Sequence, residues 1–124
     1  MNSPKTATQW YTTGLSYEQN GDLASSRDAY LRAIELVPDN SDWYYRLGCV
    51  FRKDNLFAEA ESAFVRAVEL NSGDSKAIVN LATVLDAQGK RSEAIQVYHQ
   101  AIIADDTNVE AHHNLGSIHA ETGR

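Results

Sequence analysis

The sequence predicts an all-α fold of the α-solenoid class, a stack of antiparallel helix pairs. Three observations lead there: a 34-residue internal period, helical spacing of apolar residues within each period, and turn residues midway through it. Shifted by 34 residues, Gly14 falls on Gly48, then Ala82 and Gly116. Ser26, Ala60 and Ala94 form a second column; Tyr30, Phe64 and Tyr98 a third; Ala33, Ala67 and Ala101 a fourth. Trp10, Tyr44 and Ile78 continue as His112, while Tyr17, Phe51 and Leu85 continue as His119. Agreement in so many columns assigns units to 7–40, 41–74 and 75–108, with a partial unit over 109–124.

Each unit begins with an amphipathic helix. Trp10, Gly14 and Tyr17 sit at i, i+4 and i+7, a pattern repeated by Tyr44, Gly48 and Phe51 and by Ile78, Ala82 and Leu85. A second apolar stripe follows through Ser26, Tyr30, Ala33 and Val37 and through their counterparts. Between the stripes lie Asn20-Gly21-Asp22, Asp54-Asn55 and Gln88-Gly89-Lys90, where glycine suits a left-handed helix cap and Asp22 can cap the next helix. Pro38 stops the first hairpin, and Asp74 or Ser75 can open the fifth helix. The predicted spans are 7–20, 24–37, 41–54, 58–71, 75–88, 92–104 and 109–121. Small residues at 14, 48 and 82 and alanine at 33, 67 and 101 remove bulk from facing helices, so each pair can approach closely while the aromatic column fills the space beside the contact. Trp43, in a stripe with Leu47 and Val50, points back toward the preceding hairpin and joins units, and Trp10 covers the first end.

These columns resemble the tetratricopeptide repeat family. Its pattern of an aromatic residue, Leu-Gly, Tyr, Gly, Ala, an aromatic residue, Ala and Pro is visible as Trp10, Gly14, Tyr17, Gly21, Tyr30, Ala33 and Pro38, with Thr13 in place of leucine and Ser26 in place of alanine. The second unit matches through Tyr44, Leu47, Gly48, Phe51, Ala60, Phe64 and Ala67, the third through Leu81, Ala82, Gly89, Ala94, Tyr98 and Ala101, and Leu115, Gly116 and Gly123 continue it. The resemblance covers residues 7–124 and implies a right-handed superhelix whose first helices line a concave, protein-binding groove.

Carried onto this sequence, the family's groove positions include Tyr11 and Leu15 in the first unit, and Tyr45, Arg46, Cys49, Arg52 and Lys53 in the second. The third supplies Lys76, Val79, Asn80 and Thr83, and the fourth His113 and Asn114. Aromatic area, amides and charges together suit recognition of a protein segment. Family members that clamp a C-terminal carboxylate carry Lys and Asn, then Asn, then Lys and Arg. Tyr11 and Leu15, Arg46, then Lys76 and Asn80 stand at those places, so only Lys76 agrees. A ladder of groove asparagines, used elsewhere in the family to hold a peptide backbone, is met by Asn80 and Asn114 and broken by Thr12 and Arg46. The cations Arg46, Arg52, Lys53 and Lys76 point to a ligand with an acidic residue, with Tyr45 and Val79 covering an adjacent apolar one and Asp42 and Asp86 tempering the attraction. A structural spacer or a self-assembly segment is the alternative.

Composition narrows the remaining classes. The 124 residues are 43% hydrophobic, enough for one cored domain. Seventeen acidic against eleven basic residues give a charge of -6, which disfavours nucleic acid or an anionic membrane as partner. The most apolar segment, Ala77 to Leu85, is too short to span a bilayer, the opening MNSPKTATQW lacks the apolar run of a secretory signal, and Cys49 alone forms no internal disulfide, so a cytoplasmic setting is expected. No phosphate-cradling glycine loop or His-Glu-x-x-His pattern occurs, Cys49 has no histidine beside it in its helix, and Glu59 and Glu61 point in different directions; no catalytic role and no cofactor is expected. His112 and His119 lie seven residues apart, about 10 Å along a helix, too far for one metal ion; His99 sits on a polar face and His113 on the groove side. The sequence stops after the first helix of a fourth unit, which suggests part of a larger repeat protein, with the recruitment region of a larger enzyme as an alternative. Leu115 and Ile118 are expected to stay uncovered there and to favour homo-oligomers through that edge.

Overall fold

Among residues 3–123, which the computed structural model describes, seven helices follow one another: α1 (Ala7–Gln19), α2 (Leu23–Leu36), α3 (Ser41–Lys53), α4 (Phe57–Leu70), α5 (Ser75–Ala87), α6 (Arg91–Ala104) and α7 (Val109–Thr122). Residue 124, the expected limit of the last unit, lies outside the described residues. Each predicted helix is present with its ends moved by one residue at most. The shift has a local cause at the second helices, because Gly21 (φ 79°), Asn55 (φ 60°) and Gly89 (φ 82°) reverse the chain in the left-handed region and the next residue already stands at the helix cap. Asn55 shows that asparagine performs the turn where the second unit lacks glycine.

Side-chain caps start five of these helices. Thr6 and Gln9 form a reciprocal capping box on α1, while Asp22, Asn40, Asp74 and Asn108 accept from backbone N–H groups of α2, α3, α5 and α7. Leu56 and Lys90 provide no such bond for α4 and α6. The helices of the latter two therefore depend more on packing, and their apolar stripes supply it.

Consecutive helices pair as α1 with α2, α3 with α4 and α5 with α6, and each hairpin packs on the next through α2 with α3, α4 with α5 and α6 with α7. At the hairpin crossings Tyr30 and Phe64 are fully buried and Tyr98 nearly so. A Cβ on Gly14 would sit 2.5 Å from the Tyr30 ring, and one on Gly48 would sit 2.6 Å from that of Phe64, so the missing side chains are what let the rings lie flat against the helix. Ser26, standing where alanine is expected, donates from its hydroxyl to the Gly14 carbonyl at 2.8 Å, which satisfies a polar group buried at the same crossing. Trp43 joins the first two hairpins as expected: it is buried, with Tyr11 stacked on it at 5.5 Å. Trp10 is half-buried at the first end, with Lys5 4.7 Å and Arg32 5.9 Å from its ring centre.

The last helix corrects the expectation of an uncovered apolar edge. Leu115 and Ile118 are buried, 8% and 3% exposed, in one core cluster with α5 and α6 residues. They continue the Leu47–Val50 and Leu81–Val84 stripe that faces the preceding hairpin, not the stripe that faces a following helix. That outward stripe is His112, Gly116 and His119, all exposed, and a Cβ on Gly116 would meet nothing within 4 Å. Leu115 and Ile118 thus cannot be the contact surface of a homo-oligomer while α7 stays docked.

Candidate functional site

The odd-numbered helices meet one another as well as their own partners. Tyr11 of α1 stacks on Trp43 of α3, and α3 touches α5 directly, where the Tyr45 hydroxyl lies 3.5 Å from the Asn80 amide. Their shared surface carries the expected groove residues.

At its first step, between α1 and α3, a recess of about 180 Å³ is lined by Leu15, Glu18, Gln19, Arg46 and Lys53. Glu18 is its structural centre: the carboxylate is 9% exposed, accepts from the Tyr30 hydroxyl at 2.7 Å and pairs with the Lys53 ammonium at 2.6 Å. Burial alone would raise its pKa, but the bonds from Lys53 and Tyr30, with the Lys53 and Arg46 charges, hold it below its ordinary value of 4.5. Burial, and after it the bond to this carboxylate and its charge, raises the pKa of the Tyr30 hydroxyl. For Arg46, burial favours loss of charge, and the oxygens of Tyr11, Glu18 and Tyr30 outweigh it and keep the guanidinium charged. Arg46 is exposed and, among the described residues, forms no ion pair, whereas Lys53 is already neutralised. The four expected cations are therefore not equivalent.

The second step lies between α3 and α5. Tyr45 is half-buried, 5.9 Å from the Phe64 ring, with the Lys76 ammonium 5.5 Å from its ring centre. Burial, with Cys49 next to it, pushes the Tyr45 hydroxyl up to about 12. The Cys49 thiol is half-buried and its pKa is raised chiefly by that burial, with a hydrogen bond from Tyr45 and the Arg52 charge acting the other way. Such a thiol is a small groove-wall residue and a poor nucleophile. Lys76 is exposed and Arg52 half-exposed, neither in an ion pair among the described residues.

Two groove expectations are corrected here. Val79 is fully buried, so it offers no surface to a ligand; it shares its column with Tyr11 and Tyr45, but its short side chain ends below the surface that those rings reach. Asn80 is only 7% exposed, because its amide turns back to donate to the Lys76 carbonyl at 2.9 Å while reaching toward Tyr45. Of the partial asparagine ladder, Asn114 remains half-exposed.

The third step, between α5 and α7, holds a recess of about 190 Å³ whose lining includes Thr83, Asp86, Arg91, Tyr98, Asn114 and Glu121. Thr83 shares a 2.9 Å hydrogen bond with the Tyr98 hydroxyl. Arg91 binds Asp86 at 3.0 Å and Glu121 at 2.9 Å, bridging α5, α6 and α7. His113 is exposed nearby on α7. Sequence reasoning missed Arg91 and the central place of Glu18. The opposite charges of Asp86 and Arg91 across the Gln88-Gly89 turn were a usable signal for the first; the second needed a contact between residues 35 apart.

Among the described residues, no group of three or more histidine, cysteine, aspartate or glutamate side chains is placed to hold a metal ion, and no helix is long and apolar enough to cross a membrane. The Glu18 network carries a pH prediction. A carboxyl whose folded pKa is depressed adds stability that is complete above its unfolded value, near 4.5, and is lost as pH falls through the folded value. Urea denaturation from pH 7 to 3 should show a shallower acid loss for Glu18→Gln than for the parent; parallel curves would remove Glu18 from that account.

Comparison with known proteins agrees with this architecture. A family model described as tetratricopeptide repeat matches residues 11–75, and a second, described as TPR repeat, matches residues 84–123. No curated protein matches the chain. Similar solved structures include the first TPR of Spaghetti (RPAP3) bound to the HSP90 peptide SRMEEVD, at 24% identity over 96% of this chain and 94% of that one, with a TM-score of 0.90. MamA is similar at 22% identity over 98% of this chain and 71% of that one, TM-score 0.92. The second TPR domain of human RPAP3, in complex with the HSP70 peptide SGPTIEEVD, is similar at 22% identity over 90% and 97%, TM-score 0.83. At these identities the structural likeness shows the fold alone, but with family models matching more than half of its length, the chain belongs to the tetratricopeptide repeat family.

Proposed function

We propose that the chain is a non-catalytic scaffold of a cytoplasmic protein, which holds an extended protein segment along the face of its odd-numbered helices and selects one with an acidic side chain beside an apolar one. The observation that carries the reading is the uneven pairing of the groove cations. Glu18 neutralises Lys53, while Arg46, Arg52 and Lys76 stand on adjacent helices without a carboxylate partner among the described residues. Arginine can present two parallel N–H donors to a carboxylate and lysine a less directional charge. Half-buried Tyr45, under Lys76, offers the apolar contact that Val79 does not. The peptides held by the similar TPR structures, SRMEEVD and SGPTIEEVD, are themselves acidic. Since Tyr11, Leu15 and Arg46 depart from the family's carboxylate-clamp residues, an acidic side chain within the segment fits this groove better than a chain terminus.

The test is fluorescence anisotropy with a labelled Glu-Leu peptide. Replacing Arg46 and Lys76 together with glutamine should weaken binding about fivefold to thirtyfold, from two charge contacts of roughly 0.5–1 kcal/mol each, and should flatten the salt dependence while circular dichroism is unchanged. Equal binding by parent and double variant, or ligand contacts mapped to the even-numbered helices, would overturn the assignment. Absence of saturable binding to any peptide would favour a spacer.

A further inference from the structure

The recesses at the first and third steps occupy the same places in the repeat, two units apart. Leu15, Glu18, Arg46 and Lys53 line one; Thr83, Asp86, Asn114 and Glu121, their counterparts 68 positions on, line the other. Equivalent backbone positions thus build two cavities of nearly equal size, about 180 and 190 Å³, with opposite charge. In the first, Arg46 and Lys53 face the single carboxylate of Glu18. In the second, Asp86 and Glu121 face the single guanidinium of Arg91. Between them the middle step is cationic through Arg52 and Lys76, and Asn80 there is turned inward.

The charges are held in place rather than free to average out. Glu18 is fixed by Tyr30 and Lys53, so the first recess keeps Arg46 as its open cation. Arg91 is fixed by two carboxylates from two helices: it donates to both oxygens of Asp86, at 3.0 and 3.5 Å, and to one oxygen of Glu121 at 2.9 Å, so the other Glu121 oxygen has no partner among the described residues and the recess sets two carboxylates against one cation. A ligand lying along the groove therefore meets a cationic stretch over α3 and the start of α5 and an anionic one between the end of α5 and α7.

We propose that the groove selects a segment of mixed charge, with its acidic residue over Arg46 and Lys76 and a basic residue in the recess of Asp86, Asn114 and Glu121. This deepens the groove-binding reading and rests on it. Across the helices the recess lies one step, roughly 8–10 Å, beyond Arg46 and Lys76, and Lys76 to Asp86 is about 15 Å along α5, so the two sites are roughly 18 Å apart, which an extended chain covers in about six residues at 3.3 Å each. Lysine or arginine is long enough to enter the recess, where a neutral Thr83 and Asn114 rim adds hydrogen-bonding groups. The overall charge of -6 already disfavours a uniformly acidic ligand, and the anionic end makes that exclusion local.

Three labelled peptides on one alanine-serine background with a central leucine test the proposal: a Glu/Lys pair about six positions apart, in both chain orders, a Glu/Glu pair and a Lys/Lys pair. The parent protein should bind the better Glu/Lys peptide about threefold to tenfold more tightly than Glu/Glu, the scale of one to two surface charge contacts. Glu121→Lys should invert that preference, and Asp86→Asn should reduce it. The Glu121 side chain is 62% exposed, so both proteins should melt alike. If binding still depends on Arg46 and Lys76 while Glu121→Lys leaves the Glu/Lys preference unchanged, the mixed-charge proposal is wrong and the groove reading stands. If all peptides bind parent and the Arg46→Gln, Lys76→Gln variant equally, the groove reading fails and this proposal with it.

Discussion

Phe64→Ala is expected to destabilise the stack by about 3–5 kcal/mol, a cost set by the lost ring and the cavity it leaves. Phe64 is fully buried, lies against bare backbone at Gly48 and touches Tyr45, so α3 and α4 cannot close over the gap without giving up the groove-side contact. The reciprocal change, Gly48→Leu, should cost about 1–3 kcal/mol by overpacking, even though leucine is the better helix former. Its first carbon alone would stand 2.6–2.8 Å from three atoms of the ring. Gly116→Ala is the matched control. It occupies the same column in α7 with nothing within 4 Å, so it should be neutral or stabilising by up to about 1 kcal/mol. Urea midpoints at constant slope would measure all three. Equal costs at Gly48 and Gly116 would show that helix propensity, not the ring, decides the column.

The same comparison explains what the sequence made legible. Columns such as Gly14–Gly48 and Tyr30–Phe64–Tyr98 record contacts that every unit repeats, so one helix pair reads for all three, and the seven helices follow with their ends nearly in place. What differs from unit to unit does not repeat and was hidden. Tyr11, Tyr45 and Val79 share one column, yet the rings reach the groove surface and valine does not, because exposure depends on side-chain length against neighbours from other units. Nothing in the repeat marks Glu18 until Tyr30 and Lys53 arrive from two other helices. Likewise, Ser75 reads as a helix opener, but its hydroxyl donates to the Ala101 carbonyl at 3.1 Å and accepts from Asn108 at 2.7 Å, tying α5 to the chain leading into α7. Periodicity shows where a residue stands in the stack; its partners across 26 to 35 residues require the fold.

Leu115→Asp should release α7 without dissolving the rest of the stack. Loss of the leucine packing alone is worth about 2–5 kcal/mol, and a carboxylate at an 8% exposed site adds a desolvation cost that no cation near it in the core cluster offsets. The final helix is the element least able to absorb this, since it packs chiefly on α6 and its outward stripe of His112, Gly116 and His119 has no covering helix among the described residues. The remaining ties, Arg91 to Glu121 and Asn108 to Ser75, lie at its two ends and are partly solvated, too weak to hold a helix whose middle is displaced. The first six helices keep their own hairpin contacts, so opening is local. Hydrogen exchange should therefore lose protection over Val109–Thr122 first, with α1 to α4 close to the parent, and light scattering should show no fall in mass. Retained protection in α7 together with a drop from dimer to monomer would instead mean that Leu115 lies on an interface between copies, contrary to its buried position.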